Sequence, residues 1–212
     1  MDTTATGDAF DLRHAATDHV TTATVPARRL FAISGFGPPR SSDFAIGTST
    51  LARAEAALGD VLHRRGEGSV GRPAIEVLWT PPPDVALGEL VERFRDRDGW
   101  RWEQVAGIPM QAAIEDIDAA VDAVRRAAGR DQALLHVIVL AEGPVLQLLQ
   151  LGGPSSEVET LGRLLGAVDE ARLSSHGPIH QLFLSGADTI GGDRQRSILR
   201  VAVGPEGATG RG

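Results

Sequence analysis

The chain has no cysteine. Disulfides, thiolate metal sites and cysteine nucleophiles are therefore excluded. Lysine is also missing, so all 21 residues in the Lys+Arg count are arginine. That removes a Schiff-base lysine, a Ser-x-x-Lys nucleophile and a Walker-type phosphate loop. There is no tyrosine, and aromatic residues make up only 4% of the chain. Positive charge is in the minority: the net charge of −7 argues against nucleic acid as a direct partner. No apolar run approaches the roughly 20 residues that span a bilayer. The polar opening Met1 to Gly7 lacks a secretory signal pattern. These absences predict a soluble cytoplasmic protein without a membrane partner. No Gly-x-Ser-x-Gly elbow is present, which disfavours a serine hydrolase triad. Gly35 to Pro39 has neither a following lysine nor dinucleotide spacing, and reads as a turn. His176 and His180 are four apart, but Gly177 and Pro178 between them break any helical metal pair. Neither a metal nor a cofactor is expected.

What is there is an ordinary globular pattern. The 212 residues, 42% of them hydrophobic, fit one large domain or two small similar ones. Helical spacing of Leu51, Ala54, Leu58, Val61 and Leu62 predicts a helix over 43–63, capped by Ser41 or Ser42. A second is predicted over 115–128, with the stripe Ile114, Ile117, Val121 and Val124. Acidic residues open it, and Arg125 and Arg126 close it. A third is predicted over 157–172, with Ser156 and Glu159 as a capping box and Val158, Leu161, Leu165 and Val168 as its stripe. Shorter helices are expected around Phe10 to His19 and Leu87 to Phe94. Apolar runs predict strands at 29–36, 74–80, 100–108, 134–141, 145–151, 179–185 and 196–203. Glu142-Gly143 suggests a tight hairpin between the fourth and fifth of these.

A repeat runs through this pattern. Gly35-Phe36-Gly37-Pro38 and Gly152-Gly153-Pro154 each end a strand and precede a helix. Ile75-Glu76-Val77-Leu78-Trp79 and Ile179-His180-Gln181-Leu182-Phe183 then both read Ile-x-x-Leu-aromatic. The expected fold class is α+β: two pseudo-symmetric β-α-β-β units form a concave antiparallel sheet, with helices on one side and a central cleft. The expected layout is a polar segment over 1–24, a domain over 25–203 and a disordered tail over 204–212. Within the domain, one half covers 25–110, a middle helix 114–128, and the other half 133–203.

The scarce aromatics are grouped. Trp79, Trp100 and Trp102 are the only tryptophans. On a strand, Trp100 and Trp102 project to the same side. Such a group either plugs a core or walls a pocket for a flat apolar ligand. Several stretches resemble the GyrI-like small-molecule-binding family, also called the effector-binding or duplicated SHS2 fold. They are Asp11-Leu12-Arg13 with Val25-Pro26-Ala27-Arg28-Arg29, Ile75-Glu76-Val77-Leu78-Trp79, Trp100-Arg101-Trp102, His180-Gln181-Leu182-Phe183-Leu184-Ser185, and Arg196-Ser197-Ile198-Leu199-Arg200. The match covers about Phe10 to Val203. The resemblance implies a cleft for bulky, often aromatic xenobiotics, in effector domains, in stand-alone binding proteins, or in hydrolases that open the cyclopropane of DNA-alkylating natural products. It also shows two departures: Gln181 stands where the family has a cleft Glu, and Phe183 where it has a Tyr. The first favours a neutral or weakly polar ligand, and together they remove an acid/base carboxylate and a phenol.

Strand alternation sorts the candidates. Val77, Trp79, Gln181 and Phe183 share one face, read here as the cleft side. Leu78, Leu182 and Leu184 share the other, expected to meet the helices. The candidate ligand-lining residues are Trp79, Trp100, Trp102, Gln181 and Phe183, with Val77 and Phe36 beside them. Core packing is the competing reading for the tryptophans, and a satisfied structural amide for Gln181. Glu76 and His180 fall on the expected helix side. They are structural hydrogen-bonding groups there, or general acid/base candidates if a bulge turns them into the cleft. Three functions compete: a detoxifying or self-resistance hydrolase, a protein that sequesters a drug, and an effector domain. The expected partner is a hydrophobic aromatic small molecule, bound by a monomer or homodimer.

Overall fold

A computed structural model of the chain describes residues 16–66, 75–85, 87–128, 135–186 and 189–205. Eight strands are described: β1 (Thr21–Val25), β2 (Arg28–Phe36), β3 (Ile75–Thr80), β4 (Arg101–Gly107), β5 (His136–Leu140), β6 (Gly143–Leu151), β7 (Leu173–Phe183) and β8 (Arg196–Pro205). Four helices accompany them among the described residues: α1 (Ser42–Arg64), α2 (Leu87–Arg93), α3 (Ile114–Ala128) and α4 (Pro154–Glu170). No helix among the described residues is long and apolar enough to cross a membrane.

Helix starts follow local chemistry. Ser41 caps α1, its hydroxyl accepting from the Phe44 backbone N–H at 3.2 Å. At α3 the bond runs the other way along the chain: Asp116, inside the first turn, accepts from the backbone N–H of Ala113 just before the helix at 3.1 Å. The stripe of α3 begins at Ile117, because Ile114 is 68% exposed. The capping box expected at α4 does not form. Its N-cap is Gly153 without a side-chain bond, and Pro154 opens the helix. Proline suits that place because its missing N–H would be unpaired there anyway. The whole helix shifts back, and its buried stripe becomes Glu157, Thr160, Leu161, Leu164 and Val168. The helix expected around Phe10 to His19 lies mostly outside the described residues, and 16–19 are not helical.

All eight strands form one antiparallel sheet in the order β1-β6-β8-β7-β3-β4-β2-β5. The six central strands are arranged symmetrically about the β3/β7 pair, as two β-α-β-β units require. In that pair Leu78 lies opposite His180 and Val77 opposite Gln181. The segment before residue 25 contributes β1, which pairs with β6. Its sequence Thr-Thr-Ala-Thr-Val has no apolar run, and threonine's β-branching with one buried valine suffices.

Glu142-Gly143 does lie at the connection from β5 to β6, where Gly143 has φ 67°. It does not make a hairpin, because β5 pairs with β2 while β6 pairs with β1 and β8. This has a large consequence for shape. In a flat sheet β5 and β6 would lie six strand spacings apart, about 29 Å. The two intervening residues reach only about 10 Å. The same holds for β1 and β2, joined through Pro26 and Ala27. The sheet must therefore bend until its outer strands meet over the concave face.

Both faces are buried as a result, and this corrects the expected orientation. Val77, Trp79, Trp102 and Phe183 pack with Phe44, Leu51 and Leu58 of α1 and Leu161 and Leu164 of α4. Leu78 lies on the concave side with Leu30, Ala32 and Val105, and Ile138 and Leu140 of the neighbouring β5 pack against them. Alternation separates two faces, but it cannot say which one meets helices when both are apolar.

Candidate functional site

The central strands carry a polar group on each side. On the concave side, the start of β2 places Arg28 against Glu76 of β3. Its Nη1 and Nη2 donate to the two carboxylate oxygens at 3.1 and 2.7 Å. His180 of β7 lies between two carboxylates, with Nε2 3.1 Å from Glu76 Oε2 and Nδ1 2.9 Å from Glu142 Oε1. Arg200 of β8 reaches Glu142 at 3.4 Å, and donates from Nε and Nη2 to Gln147 Oε1 at 3.2 and 2.9 Å. Glu142 comes from the β5–β6 turn, so this cluster ties the folded-over edges to the sheet centre.

Its protonation follows from its geometry. Two carboxylates face two ring nitrogens, which is complete only for a doubly protonated imidazolium. Burial alone would lower the His180 pKa, but the charges and hydrogen bonds of Glu142 and Glu76 outweigh it and hold it above the ordinary value. Burial would raise Glu76, yet the His180 hydrogen bond and the Arg28 charge hold it well below the usual carboxylate range. Glu142 is likewise lowered against its burial, chiefly by His180 and then by Arg200. Glu76 and His180 thus lie on the concave side rather than under the helices. The structure brings them together, but with each other. An imidazolium held at both nitrogens has no lone pair with which to take a proton.

The helix side holds the aromatic residues. Phe44 of α1 stacks on Trp79, with centroids 5.8 Å apart and planes 5° apart, and meets Trp102 edge-on at 5.4 Å. Phe94 is edge-on to Trp79 at 6.4 Å and to Trp100 at 5.4 Å. Trp79, Trp100, Trp102, Val77 and Phe183 are all buried in this cluster. Phe36 stands apart from it, 67% exposed at the end of β2. Gln181 is buried with its amide engaged. Its Oε1 accepts from Trp79 Nε1 at 3.0 Å, and its Nε2 donates to Glu157 Oε1 at 2.7 Å and Ser197 Oγ at 3.0 Å.

Two residues at the centre of this site escape sequence reading. Glu157 of α4 points into the core and supplies a carboxylate next to Gln181. Arg97, in the turn before β4, donates from Nη2 to Glu157 Oε2 at 2.6 Å. Its guanidinium carbon lies 4.5 Å from the Trp79 ring centroid and 3.8 Å from that of Phe94. A signal for Glu157 existed: it sits four residues before Leu161, on the buried stripe. Arg97 gave none, because it lies in the charged run Glu92 to Asp98 that reads as a solvated surface.

The aromatic cluster adjoins an open cleft of about 460 Å³. The N-terminal half of α1 forms one side through Phe44, Thr48 and Ala52. Ala45 and Ser49 of the same helix, its cap Ser41, and Pro39, Arg40 and Ile190 form the rest. Arg40 Nη2 donates to the Gly191 carbonyl and fixes that rim. Gln104 pins the helix by donating to the Phe44 carbonyl at 2.8 Å and accepting from Thr48 Oγ1 at 3.0 Å. Phe44 lines the cleft while only 2% exposed, and its ring packs inward on Trp79 and Trp102. The Trp102 indole N–H is buried and meets no acceptor among the described residues.

No protein-family model and no curated protein matches the chain. Solved structures do. An uncharacterized conserved protein from Listeria innocua superposes with a TM-score of 0.75 at 20% identity, over 90% of this chain and 95% of that one. A hydrolase from Listeria innocua superposes with a TM-score of 0.71 at 19% identity, over 90% and 94%. The C-terminal domain of EcmrR superposes with a TM-score of 0.56 at 8% identity, over 88% and 98%. The fold is shared with these proteins over nearly its full length. It is consistent with the GyrI-like fold.

Proposed function

We propose that this chain binds a bulky, apolar aromatic molecule in the cleft beside α1, with Phe44, backed by Trp79 and Trp102, at its inner wall. One observation carries the reading: an open cleft of ligand size is lined by Phe44, whose ring packs on Trp79 and Trp102 behind it. Ligand sites typically occupy about 300–1,000 Å³ and are mostly apolar with a few placed polar groups. Within the cell the role is detoxification or self-resistance by sequestration of a xenobiotic or antibiotic.

Binding without chemistry is favoured over hydrolysis. Opening a cyclopropane-type electrophile requires one group to activate water and another to protonate the departing centre. Glu157 is held by Arg97, Gln181 and Gln195, and the pair of Glu76 and His180 lies on the opposite face of the sheet. The test is a fluorescence titration with the neutral apolar probe N-phenyl-1-naphthylamine, repeated on Ala52→Phe. Ala52 is an exposed helical position on the cleft wall. Wild type should bind saturably with quenching of tryptophan, and Ala52→Phe should lose at least about tenfold in affinity, roughly 1.4 kcal/mol, without unfolding. Equal binding by both proteins would place the ligand elsewhere. Incubation with a cyclopropane-bearing alkylating compound, followed by mass spectrometry, separates the two activities: catalytic release of a water adduct would overturn the sequestration reading.

A further inference from the structure

Arg97 is an unusual occupant for a protein interior. It is 1% exposed, and its guanidinium lies against two aromatic faces above a single carboxylate. Those are the elements that recognise a flat organic cation: π faces on the sides and an anion at the end. The chain has placed its own cation there, and the fit is incomplete. Arg97 Nε is buried and meets no acceptor among the described residues. The backbone at Arg97 has φ 54°, a left-handed conformation that residues with a side chain rarely adopt. Gly99 two residues on has φ 75°. The turn is short: Arg95 N–H donates to the Glu92 carbonyl and Arg97 N–H to the Arg93 carbonyl, both at 3.2 Å, and Trp100 N–H to the Arg97 carbonyl at 3.1 Å. Burial also works against the guanidinium charge more than Glu157 supports it, so its pKa is lowered.

We infer that Arg97 is a displaceable internal ligand: it fills, in the resting protein, the place that a flat cationic group of an incoming molecule takes when the turn carrying Arg97 swings outward. This rests on the binding reading above and adds its regulation. Removing Arg97 with nothing in exchange would strand the Glu157 charge in the core, which is strongly unfavourable. Exchange for another cation keeps the charge balanced, returns Arg97 to water and relaxes the backbone. With Arg97 in place the cage is neutral, and neutral aromatics in the cleft meet no charge preference. With Arg97 out, Glu157 selects amidinium, guanidinium or aminoacridinium heads. A site open in about 0.1–10% of molecules weakens apparent cation affinity by roughly ten- to a thousandfold.

The experiment compares proflavine, cationic at neutral pH, with acridine, which has the same ring system and is neutral there. Wild type, Arg97→Met and the double variant Arg97→Met/Glu157→Gln are titrated by tryptophan quenching. Methionine keeps the apolar stem and vacates the cation's place. Arg97→Met should bind proflavine at least tenfold more tightly than wild type, acridine affinity should change less than about threefold, and the double variant should lose the preference. Because Arg97→Met could unfold, wild type provides a second reading. Phenylglyoxal, which modifies accessible arginines, should leave Arg97 unlabelled in the free protein and label it under saturating proflavine, as followed by peptide mass spectrometry. Arg97 that stays protected with proflavine bound, or acridine binding without any proflavine gain in Arg97→Met, makes Arg97 a fixed structural cation and overturns the inference. If neither dye binds any of the proteins, the binding reading fails first and takes the inference with it.

Discussion

Glu76→Gln is the sharpest perturbation of the concave-side cluster. The carboxylate accepts twice from Arg28 and once from His180, and its side chain has no exposed surface. The amide keeps the shape but removes the charge, and its NH₂ must face a donor. Three cations, Arg28, His180 and Arg200, would then share Glu142 alone. Removing one partner of a buried pair typically costs about 3–5 kcal/mol. Two features place this case at the low end. Arg28 retains 14% side-chain exposure and can draw in water, and His180 can release its proton once Glu76 no longer holds it. A loss of about 3 kcal/mol is expected at neutral pH. With a urea slope of about 2 kcal/mol per M, the unfolding midpoint should fall by roughly 1.5 M. All three tryptophans are buried, so their emission reports the transition directly. Arg28→Met added to Glu76→Gln should then cost much less than Arg28→Met alone, because the pair is already broken. A midpoint shift below about 0.3 M, or additive costs in that cycle, would show that the cluster does not hold the folded-over edges to the sheet centre.

Two more outcomes follow from the same geometry. His180 has a raised pKa when folded, so its contribution is complete below its ordinary value of 6.5 and disappears as pH rises through the folded value. Glu76 and Glu142 are lowered, so theirs is complete above 4.5 and disappears as pH falls through the folded values. Urea midpoints across pH should show the alkaline decline in wild type and its loss in His180→Asn; parallel profiles would remove His180 from the cluster's energetics. Gly35→Ala would drive its new Cβ into the buried Trp102 ring, costing about 1–3 kcal/mol as overpacking and shifting tryptophan emission. An unchanged urea midpoint would mean that β2 yields freely there.

Much of the fold was legible in the residues themselves. Helical stripes, caps and apolar runs located the long elements, because those signals depend on neighbours three or four residues away. The repeat of Ile-x-x-Leu-aromatic pointed to two equivalent strands, and β3 and β7 do pair at the sheet centre. The resemblance named the right kind of fold. Local patterning alone also grouped Trp79, Trp100 and Trp102, and gave Gln181 and Phe183 a common face with Trp79.

Tertiary structure decided the rest, because each remaining point depends on distance across the fold. Two-residue connections at Pro26-Ala27 and Ala141-Glu142 forced the sheet to bend, and so buried its second face. That burial made both faces apolar, and only the packed helices show that the tryptophans lie beneath them. Glu76 and His180 looked like isolated polar residues in apolar strands. They are explained by Arg28, Glu142 and Arg200, which are 38 or more positions away from the partners that they meet. Arg97 and Glu157, 60 positions apart, form a buried ion pair on the Trp79 ring that no local pattern could announce. Sequence fixes what each strand offers to its two sides, and the closure of the sheet determines what meets it there.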